Sequence, residues 1–312
     1  MSERVFVTGA TGEIGQHVVP ELVRLGYGVT AVGRTEKKRA MLTDMGAIAV
    51  ASPADAHGRI STALAAKALE GHAVVINLAT HMPPSSMRML LPWEWSENDR
   101  IRRDDSAAFV DAAIKAGVRQ FIQESFAPVY ADGGERWIDE SFPLQPVKYN
   151  RTVLDAERSA ARFTASGGVG VVVRFAAFYG PDALLRDMLR VVKKGWSPLP
   201  GRGDAYCSSV AHADAARAVV AAVHARVAAG AYNVCDDEPL RRADWIRALA
   251  NAAGLPMPKL IPEWLTNLAG SGIALLSRSQ RMSNAKLKQA TGWSPKWASA
   301  RQGLVSAVTA LR

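Results

Sequence analysis

A glycine-rich turn near the start of the chain constrains its fold more than any other segment. The apolar run Val5–Thr8 predicts a short strand, and Gly9, Gly12 and Gly15 follow it at regular spacing. Glycines in this arrangement let the backbone turn tightly, approach a diphosphate without a Cβ in the way, and bring the next helix against the sheet. The N-terminus of that helix offers unpaired N–H groups and the positive end of its dipole. We therefore predict a dinucleotide-binding loop rather than a purely structural turn.

Strand-like runs alternate with amphipathic helical segments through the first half of the chain. The predicted strands are residues 5–8, 28–32, 47–51, 73–78, 120–123 and 169–174. Such alternation predicts an α/β fold, a doubly wound parallel sheet with helices on both faces. Ligands of such sheets bind at the carboxyl ends of the strands. After about Gly180 the alternation weakens and proline and glycine become more frequent, which predicts a second, mostly helical part.

Several short motifs follow the glycine loop in an order typical of one superfamily. They are Asn77–Ala79, Phe121–Ser125, Val172–Phe175, Tyr179–Pro181, Tyr232–Val234 and Asp237–Leu240. Together with the loop, they resemble the extended, epimerase/dehydratase-like branch of the short-chain dehydrogenase/reductase superfamily, over nearly the whole chain. The resemblance implies an NAD(P)-binding Rossmann domain at residues 1–178. It also implies a smaller substrate lobe at residues 179–312, some segments of which return to the Rossmann domain.

The end of the second predicted strand indicates which cofactor is preferred. NAD-selective sites usually carry a carboxylate here for the ribose hydroxyls, whereas this chain has Gly33 followed by Arg34, with Lys37 and Lys38 nearby. A glycine would leave room for a 2′-phosphate, and an arginine offers it two donors. We therefore predict NADP(H) in preference to NAD(H). The predicted cofactor-binding residues are Gly9, Thr11, Gly12, Glu13, Ile14, Arg34, Leu78, Ala79 and Thr80.

The expected catalytic residues depart from the superfamily's pattern. That pattern implies a tyrosine and a lysine four residues apart on one helix, where the ammonium lowers the tyrosine pKa and holds the nicotinamide ribose. Tyr149 aligns with the tyrosine, but Val153 occupies the lysine position. The catalytic hydroxyl near the fifth strand aligns with Phe126, one residue after Ser125. Without the lysine, a tyrosine remains a usable proton donor but a poor base.

Three residues are therefore candidates for proton transfer. They are Tyr149, Ser125 and His81, of which His81 follows the fourth predicted strand and has an imidazole that titrates near neutral pH. Arg102 stands where relatives commonly have an asparagine, and it either clamps an anionic substrate group or pairs with Asp105.

The expected activity follows from the cofactor loop and the resemblance. We predict an NADP(H)-dependent oxidoreductase that acts on a small carbonyl or hydroxyl compound with a non-standard set of proton-transfer groups. A redox-neutral epimerase, isomerase or lyase, for example on a nucleotide sugar, remains an alternative. A catalytically inactive NADP(H)-binding sensor is another. Substrate identity, the direction of hydride transfer and oligomeric state, including a homodimer, are left open.

Composition excludes several other classes of function. The net charge is +9, but the basic residues are spread along the chain, so a small-molecule substrate is expected rather than nucleic acid. Cys207 and Cys235 are the only cysteines and have no metal-binding spacing, and no metal site is predicted. No apolar stretch is long enough to predict a membrane span. The first strand begins almost at once, with little room for a signal sequence, and we expect a cytoplasmic protein.

Overall fold

A parallel sheet of seven strands forms the centre of the protein. The computed structural model describes residues 2–83, 88, 91–147, 150–261 and 277–312. Its strands are β1 (Arg4–Thr8), β2 (Gly28–Val32), β3 (Ile48–Val50), β4 (Val74–Asn77), β5 (Gln120–Phe126), β6 (Trp137–Ile138), β7 (Val169–Phe175), β8 (Ala177–Tyr179), β9 (Tyr206–Cys207), β10 (Ser209–Ala211), β11 (Gly230–Val234), β12 (Leu240–Arg241) and β13 (Arg281–Met282).

The strand order confirms the predicted doubly wound α/β fold. The central sheet runs β11-β7-β5-β4-β1-β2-β3, with every pairing parallel. The chain leaves β1 in one direction through β2 and β3, then continues on the other side through β4, β5 and β7. The direction of winding therefore reverses between β1 and β4, which is where sheets of this kind bind their ligands.

Helices cover both faces of this sheet and form a further layer beyond it. They are α1 (Gly15–Arg24), α2 (Glu36–Asp44), α3 (Thr62–Leu69), α4 (Ser96–Arg100), α5 (Ser106–Lys115), α6 (Val153–Ala165), α7 (Ala183–Lys193), α8 (His212–His224), α9 (Arg242–Ala253), α10 (Ala285–Thr291) and α11 (Ala300–Ala310). A single π-helical turn, Ile101–Asp105, joins α4 to α5. No helix in the described ranges is long and apolar enough to cross a membrane.

Successive side chains of β1 pack into hydrophobic cores on opposite faces of the sheet. Val5 and Val7 belong to the core beneath α1 and α8. Phe6, which points to the other face, packs with Phe109 of α5 and Phe163 of α6. Side chains alternate between the faces of a strand, and a strand covered on both faces is apolar throughout. This burial explains why the run 5–7 is uniformly apolar.

A third core lies among α7, α9 and α11. It includes Leu185, Trp245, Leu249 and Leu304, all of them buried. Between these helices along the chain, β11 joins the outer edge of the central sheet beside β7. The late part of the chain therefore contributes both a helical layer and one strand of the main sheet. The domain division at residue 178 stays a prediction.

The first loop glycine provides a test of how tightly the loop is packed. A Cβ on Gly9 would overlap the Leu78 carbonyl and lie 2.7 Å from the Ala79 nitrogen, and Gly9 has φ +65°. Gly26 also has positive φ, +84°, but its Cβ would meet nothing within 4 Å. We expect Gly9→Ala to cost about 2 kcal/mol more of unfolding free energy than Gly26→Ala, because only Gly9 adds overpacking to backbone strain. Urea denaturation of both variants measures this difference, and equal losses would mean that the close approach is unimportant.

Candidate functional site

The glycine loop lies at the carboxyl edge of the sheet, between β1 and α1. A Cβ on Gly15 would lie 2.6 Å from the Ala10 Cα, so Gly15 packs the start of α1 against the loop. Gly12 differs, because the nearest atom to its Cβ would be the Gly9 carbonyl oxygen at 3.3 Å. The N-cap residue of α1, Ile14, provides no side-chain hydrogen bond to the helix. Backbone that is open at Gly12, beside an uncapped helix N-terminus, fits a diphosphate group.

Two cavities meet over this loop. The β2 cavity, about 210 Å³, is lined among others by Thr11, Val32, Arg34, Lys38, Ser52, Ile60 and Ala79. The β5 cavity, about 300 Å³, is lined among others by Glu13, Ile14, Arg102, Glu124, Phe126, Phe175, Phe178, Asp182 and His212. Gly9, Gly12, Leu78 and Thr80 line both. Because they share these residues, the two cavities form one groove across the edge of the sheet.

Every residue predicted to bind the cofactor lines one or both of these cavities. The loop residues, which follow β1, lie next to Leu78, Ala79 and Thr80, which follow β4. Arg34 reaches the same groove from the end of β2. The set was chosen from three separate stretches of sequence, and their meeting at one edge follows from the parallel register of β1, β2 and β4.

The surroundings of Gly33 correct one step of the cofactor argument. A Cβ at Gly33 would lie 2.9 Å from both the backbone nitrogen and the Cγ of Arg39, so this glycine does not leave open space for a phosphate. Arg39 also donates to the Gly33 carbonyl oxygen at 3.2 Å. The glycine instead allows α2 to begin close to β2, with Thr35 as its N-cap. As a result, Arg34 and Lys38 both reach the β2 cavity.

A buried ion pair lies in the lining of the β5 cavity. The Arg102 side chain is 4% exposed and donates from Nη2 to Glu124 Oε1 at 2.8 Å. Arg102 therefore pairs with Glu124, while Asp105 is held by Arg100 at 2.7 Å. Two atoms of the pair, Arg102 Nε and Glu124 Oε2, are buried without a hydrogen-bond partner in the described structure. Arg102 belongs to the π-helical turn 101–105, a geometry that often occurs at functional sites.

A second polar group lies beside the loop. His212 Nε2 is 3.4 Å from Asp182 Oδ2, and its Nδ1 is 4.0 Å from Glu13 Oε2. Burial lowers the pKa of His212, although Asp182 acts in the opposite direction. Burial and the charge of Asp182 raise the pKa of Glu13, against a hydrogen bond from Gln16. In the part of the chain that the structure describes, no group of three or more histidine, cysteine, aspartate or glutamate side chains is arranged to hold a metal ion.

Ser125 lies on the side of β5 that faces away from the β5 cavity. Its Oγ donates to Glu157 Oε1 at 2.6 Å, and Glu157 accepts two hydrogen bonds from Arg174, at 2.8 and 2.7 Å. Because side chains alternate along a strand, Glu124 and Phe126 face the cavity while Ser125 joins this buried network. The structure therefore does not bring Ser125 to the groove.

Of the other two candidates for proton transfer, only His81 lies in the described part of the chain, and it is not in the lining of either cavity. His81 is exposed, and its backbone N–H donates to the buried Asn98 Oδ1 at 3.0 Å. Tyr149 lies outside the described residues. Val153, which stands in the lysine position, is fully buried in the first turn of α6.

Sequence reasoning missed Glu124, Asp182 and His212 as members of the site. Glu124 was visible as a lone carboxylate within a strand that is otherwise apolar or uncharged. His212 follows the short apolar strand β10 directly, which is a typical position for a residue at a strand's carboxyl end. Asp182 is the N-cap of α7 and looks like a structural residue in the sequence.

A family model described as NAD(P)H-binding matches residues 9–226 of the chain. The matched span begins at the first loop glycine and includes every residue named above for the two cavities. The chain belongs to this NAD(P)H-binding family.

Individual relatives of this NAD(P)H-binding protein are consistent with that membership. A Streptomyces protein named 3-diazoavenalumate denitrifying reductase is 33% identical, over 96% of this chain and 99% of that protein. Two solved structures have a TM-score of 0.76 at 18% identity: the Bacillus cereus UDP-glucuronic acid 4-epimerase with UDP-glucuronic acid and NAD, and the human epimerase family protein SDR39U1 with NADPH. The matches cover 99% and 98% of this chain, and 98% and 99% of those chains, respectively. The predicted extended short-chain dehydrogenase/reductase superfamily is confirmed.

The Ser125 network predicts a structural effect of removing that hydroxyl. We expect Ser125→Ala to lower the free energy of unfolding by about 1–2 kcal/mol, because the Glu157 carboxylate loses a charge-assisted hydrogen bond. The affinity for NADPH should not change. Ser159→Ala is a matched control, since Ser159 donates to a backbone carbonyl of its own helix. Urea denaturation and a cofactor titration measure the two effects. Weakened NADPH binding with unchanged stability would contradict this prediction and indicate that Ser125 contacts the cofactor in the groove.

The charge of Glu13 predicts a pH effect on cofactor binding. Its pKa is raised, so the carboxylate forms, and begins to repel a diphosphate, as the pH rises through that raised value. We expect Glu13→Gln to bind NADPH about threefold more tightly than the unmodified protein at neutral pH, with the difference shrinking under acidic conditions. Glu21→Gln is the control, because Glu21 lies in α1 and is paired with Arg24. A difference that is independent of pH would exclude the carboxylate as its cause.

Proposed function

We propose that this protein is an NADP(H)-dependent reductase whose acceptor takes a hydride without needing a proton from a tyrosine–lysine pair. The observation that supports this most directly is the apolar side of the β5 cavity. Phe126 lines the cavity where the resemblance implies a catalytic hydroxyl, and Val153 is buried where it implies the lysine. The described lining of this cavity includes no lysine.

The residues present fit NADP(H). The open backbone at Gly12 and the uncapped start of α1 would hold the diphosphate. Arg34 and Lys38, both in the lining of the β2 cavity, would hold the 2′-phosphate. When bound, this cofactor supplies the hydride. The β5 cavity, on the β4 and β5 side of the switch point, would then receive the nicotinamide half and the substrate.

The acceptor is best matched by a cationic aromatic compound. Phe126, Phe175 and Phe178 give the cavity flat apolar walls, while Asp182 supplies a carboxylate. A carbonyl group that accepts a hydride becomes an alkoxide, which must be protonated, whereas an arenediazonium ion becomes a neutral aryl diazene. The diazene then loses N₂ to leave the arene. A relative at 33% identity is named as a denitrifying reductase of a diazo compound, which supports the same substrate class for this chain.

A carbonyl substrate is the competing proposal. Tyr149 would then be its proton donor, acting without the lysine. Epimerisation would need a base to remove a hydroxyl proton, which makes the loss of that lysine more costly than it is for reduction.

The cofactor proposal predicts a selective effect at the β2 cavity. We expect Arg34→Ala to weaken NADPH binding about 10- to 100-fold and NADH binding little, because only NADPH carries the 2′-phosphate that Arg34 would bind. Lys37→Ala is the control, since Lys37 is exposed and outside the described lining of the cavity. Fluorescence titration with both cofactors measures the two affinities. Equal losses for NADH and NADPH would exclude a 2′-phosphate role.

The substrate proposal predicts both stoichiometry and pH dependence. With an arenediazonium carboxylate, we expect one N₂ released for each NADPH oxidised, above the rate without enzyme. We also expect kcat/KM to stay level between about pH 6 and 8, since no enzyme acid takes part in the hydride step. Tyr149→Phe should retain this activity. Reduction of aldehydes alone, with loss of activity in Tyr149→Phe, would replace this proposal with the carbonyl reductase.

A further inference from the structure

The Arg102–Glu124 pair in the β5 cavity is incomplete as a structural ion pair. Both side chains are about nine-tenths buried or more, yet Arg102 Nε and Glu124 Oε2 have no partner in the described structure. Leaving a buried charged group partly unpaired costs free energy, and native proteins rarely do so without a reason. A ligand in the cavity would complete the pair by donating to the free carboxylate oxygen.

A second buried ion pair, between Arg174 of β7 and Glu157 of α6, provides a comparison. Glu157 and Arg174 lie on the other side of β5, and every oxygen of Glu157 accepts a hydrogen bond there, from Arg174 or from Ser125. Arg174 also donates to the Tyr130 hydroxyl at 2.8 Å. That pair is satisfied within the protein, whereas the pair that faces the cavity is not.

Strand register locates Glu124 relative to the glycine loop. Thr8 of β1 is opposite Asn77 of β4, and Asn77 is opposite Gln123 of β5. Glu124 is therefore one residue beyond this row, at the same level as Gly9. Two strand spacings separate β5 from β1, or about 10 Å. A group attached directly to a diphosphate on the glycine loop would lie between Gly9 and Glu124.

Side-chain hydrogen bonds hold this row of residues in position. Asn77 Nδ2 donates to Gln123 Oε1 at 2.9 Å and to Ser106 Oγ at 3.2 Å. Gln123 Nε2 in turn donates to the Glu124 carbonyl oxygen at 3.0 Å. The backbone that carries Glu124 is thus anchored to β4 and α5, so its carboxylate is held ready for a ligand rather than ordered by one.

We propose that Glu124, oriented by Arg102, binds the hydroxyls of the nicotinamide-side ribose. This inference rests on the proposed NADP(H) dependence. A carboxylate accepts hydrogen bonds from both hydroxyls of a ribose, as acidic residues do on the adenosine side of NAD sites. The Arg102–Glu124 pair thus supplies the polar contact to this ribose that the superfamily's lysine makes and that Val153, in the lysine position, cannot make. The Arg102 charge offsets that of Glu124, so the anchor adds no net charge next to the nicotinamide.

Three probes of increasing length test this assignment by binding alone. They are 2′,5′-ADP, which lacks the second ribose; 2′-phospho-ADP-ribose, which has it but lacks nicotinamide; and NADPH. The variants are Glu124→Gln and the double variant Arg102→Met with Glu124→Met, which leaves no unpaired buried charge if the single variant folds poorly. We expect both to weaken NADPH and 2′-phospho-ADP-ribose by about 10-fold or more and to leave 2′,5′-ADP unchanged.

The double variant Arg174→Met with Glu157→Met is the matched control. It removes a buried pair of the same type from the opposite side of β5, and its relative affinities for the three probes should not change. Failure of the unmodified protein to bind any probe would overturn the NADP(H) proposal itself. Normal binding by the Glu124 variants would overturn the ribose assignment alone. So would a loss confined to NADPH, which indicates a nicotinamide contact, or an equal loss for all three probes, which indicates general distortion.

Discussion

The approach of Gly9 to the end of β4 is the contact on which the rest of the site depends. With positive φ and no Cβ, Gly9 lies against the Leu78 carbonyl and the Ala79 nitrogen. Thr8, just before it, donates to Asn77 Oδ1 at 2.5 Å, so the ends of β1 and β4 are joined by backbone packing and by a buried side-chain bond. A larger residue at Gly9 would separate the two strand ends. The cavities on either side share this junction as their common wall.

The two faces of strand β5 have different roles, since one joins a buried structural network and the other lines the β5 cavity. Consecutive residues point in opposite directions, so Ser125 joins a closed network with Glu157 and Arg174, while Glu124 and Phe126 line the cavity. The closed network has its charges fully paired and stabilises the fold. The pair of Glu124 with Arg102, in the lining of the β5 cavity, keeps two buried atoms without a partner in the described structure. Burial alone does not distinguish the two pairs; the completeness of their hydrogen bonding does.

The charges along the groove also differ from one end to the other. The lining of the β2 cavity carries three basic and two acidic side chains, which are Arg34, Lys38, Arg100, Glu97 and Asp105. The lining of the β5 cavity carries three acidic side chains and one arginine, which are Glu13, Glu124, Asp182 and Arg102. This polarity suits a phosphorylated cofactor at one end and a cationic acceptor at the other. Glu13, which is part of the glycine loop, has a raised pKa, so protonation under acidic conditions would remove part of the unfavourable charge next to a diphosphate.

The sequence by itself determined the sheet, the glycine loop and the predicted residues that line the groove. Glycine spacing and strand–helix alternation are local properties, and the parallel register then brings the ends of β1, β2 and β4 to one edge. Only the tertiary structure decided which polar side chains face the cavity. The direction of Ser125, the exposure of His81 and the pairing of Arg102 with Glu124 depend on strand phase and on contacts between distant segments. Residue order specifies none of these until the strands and helices are packed.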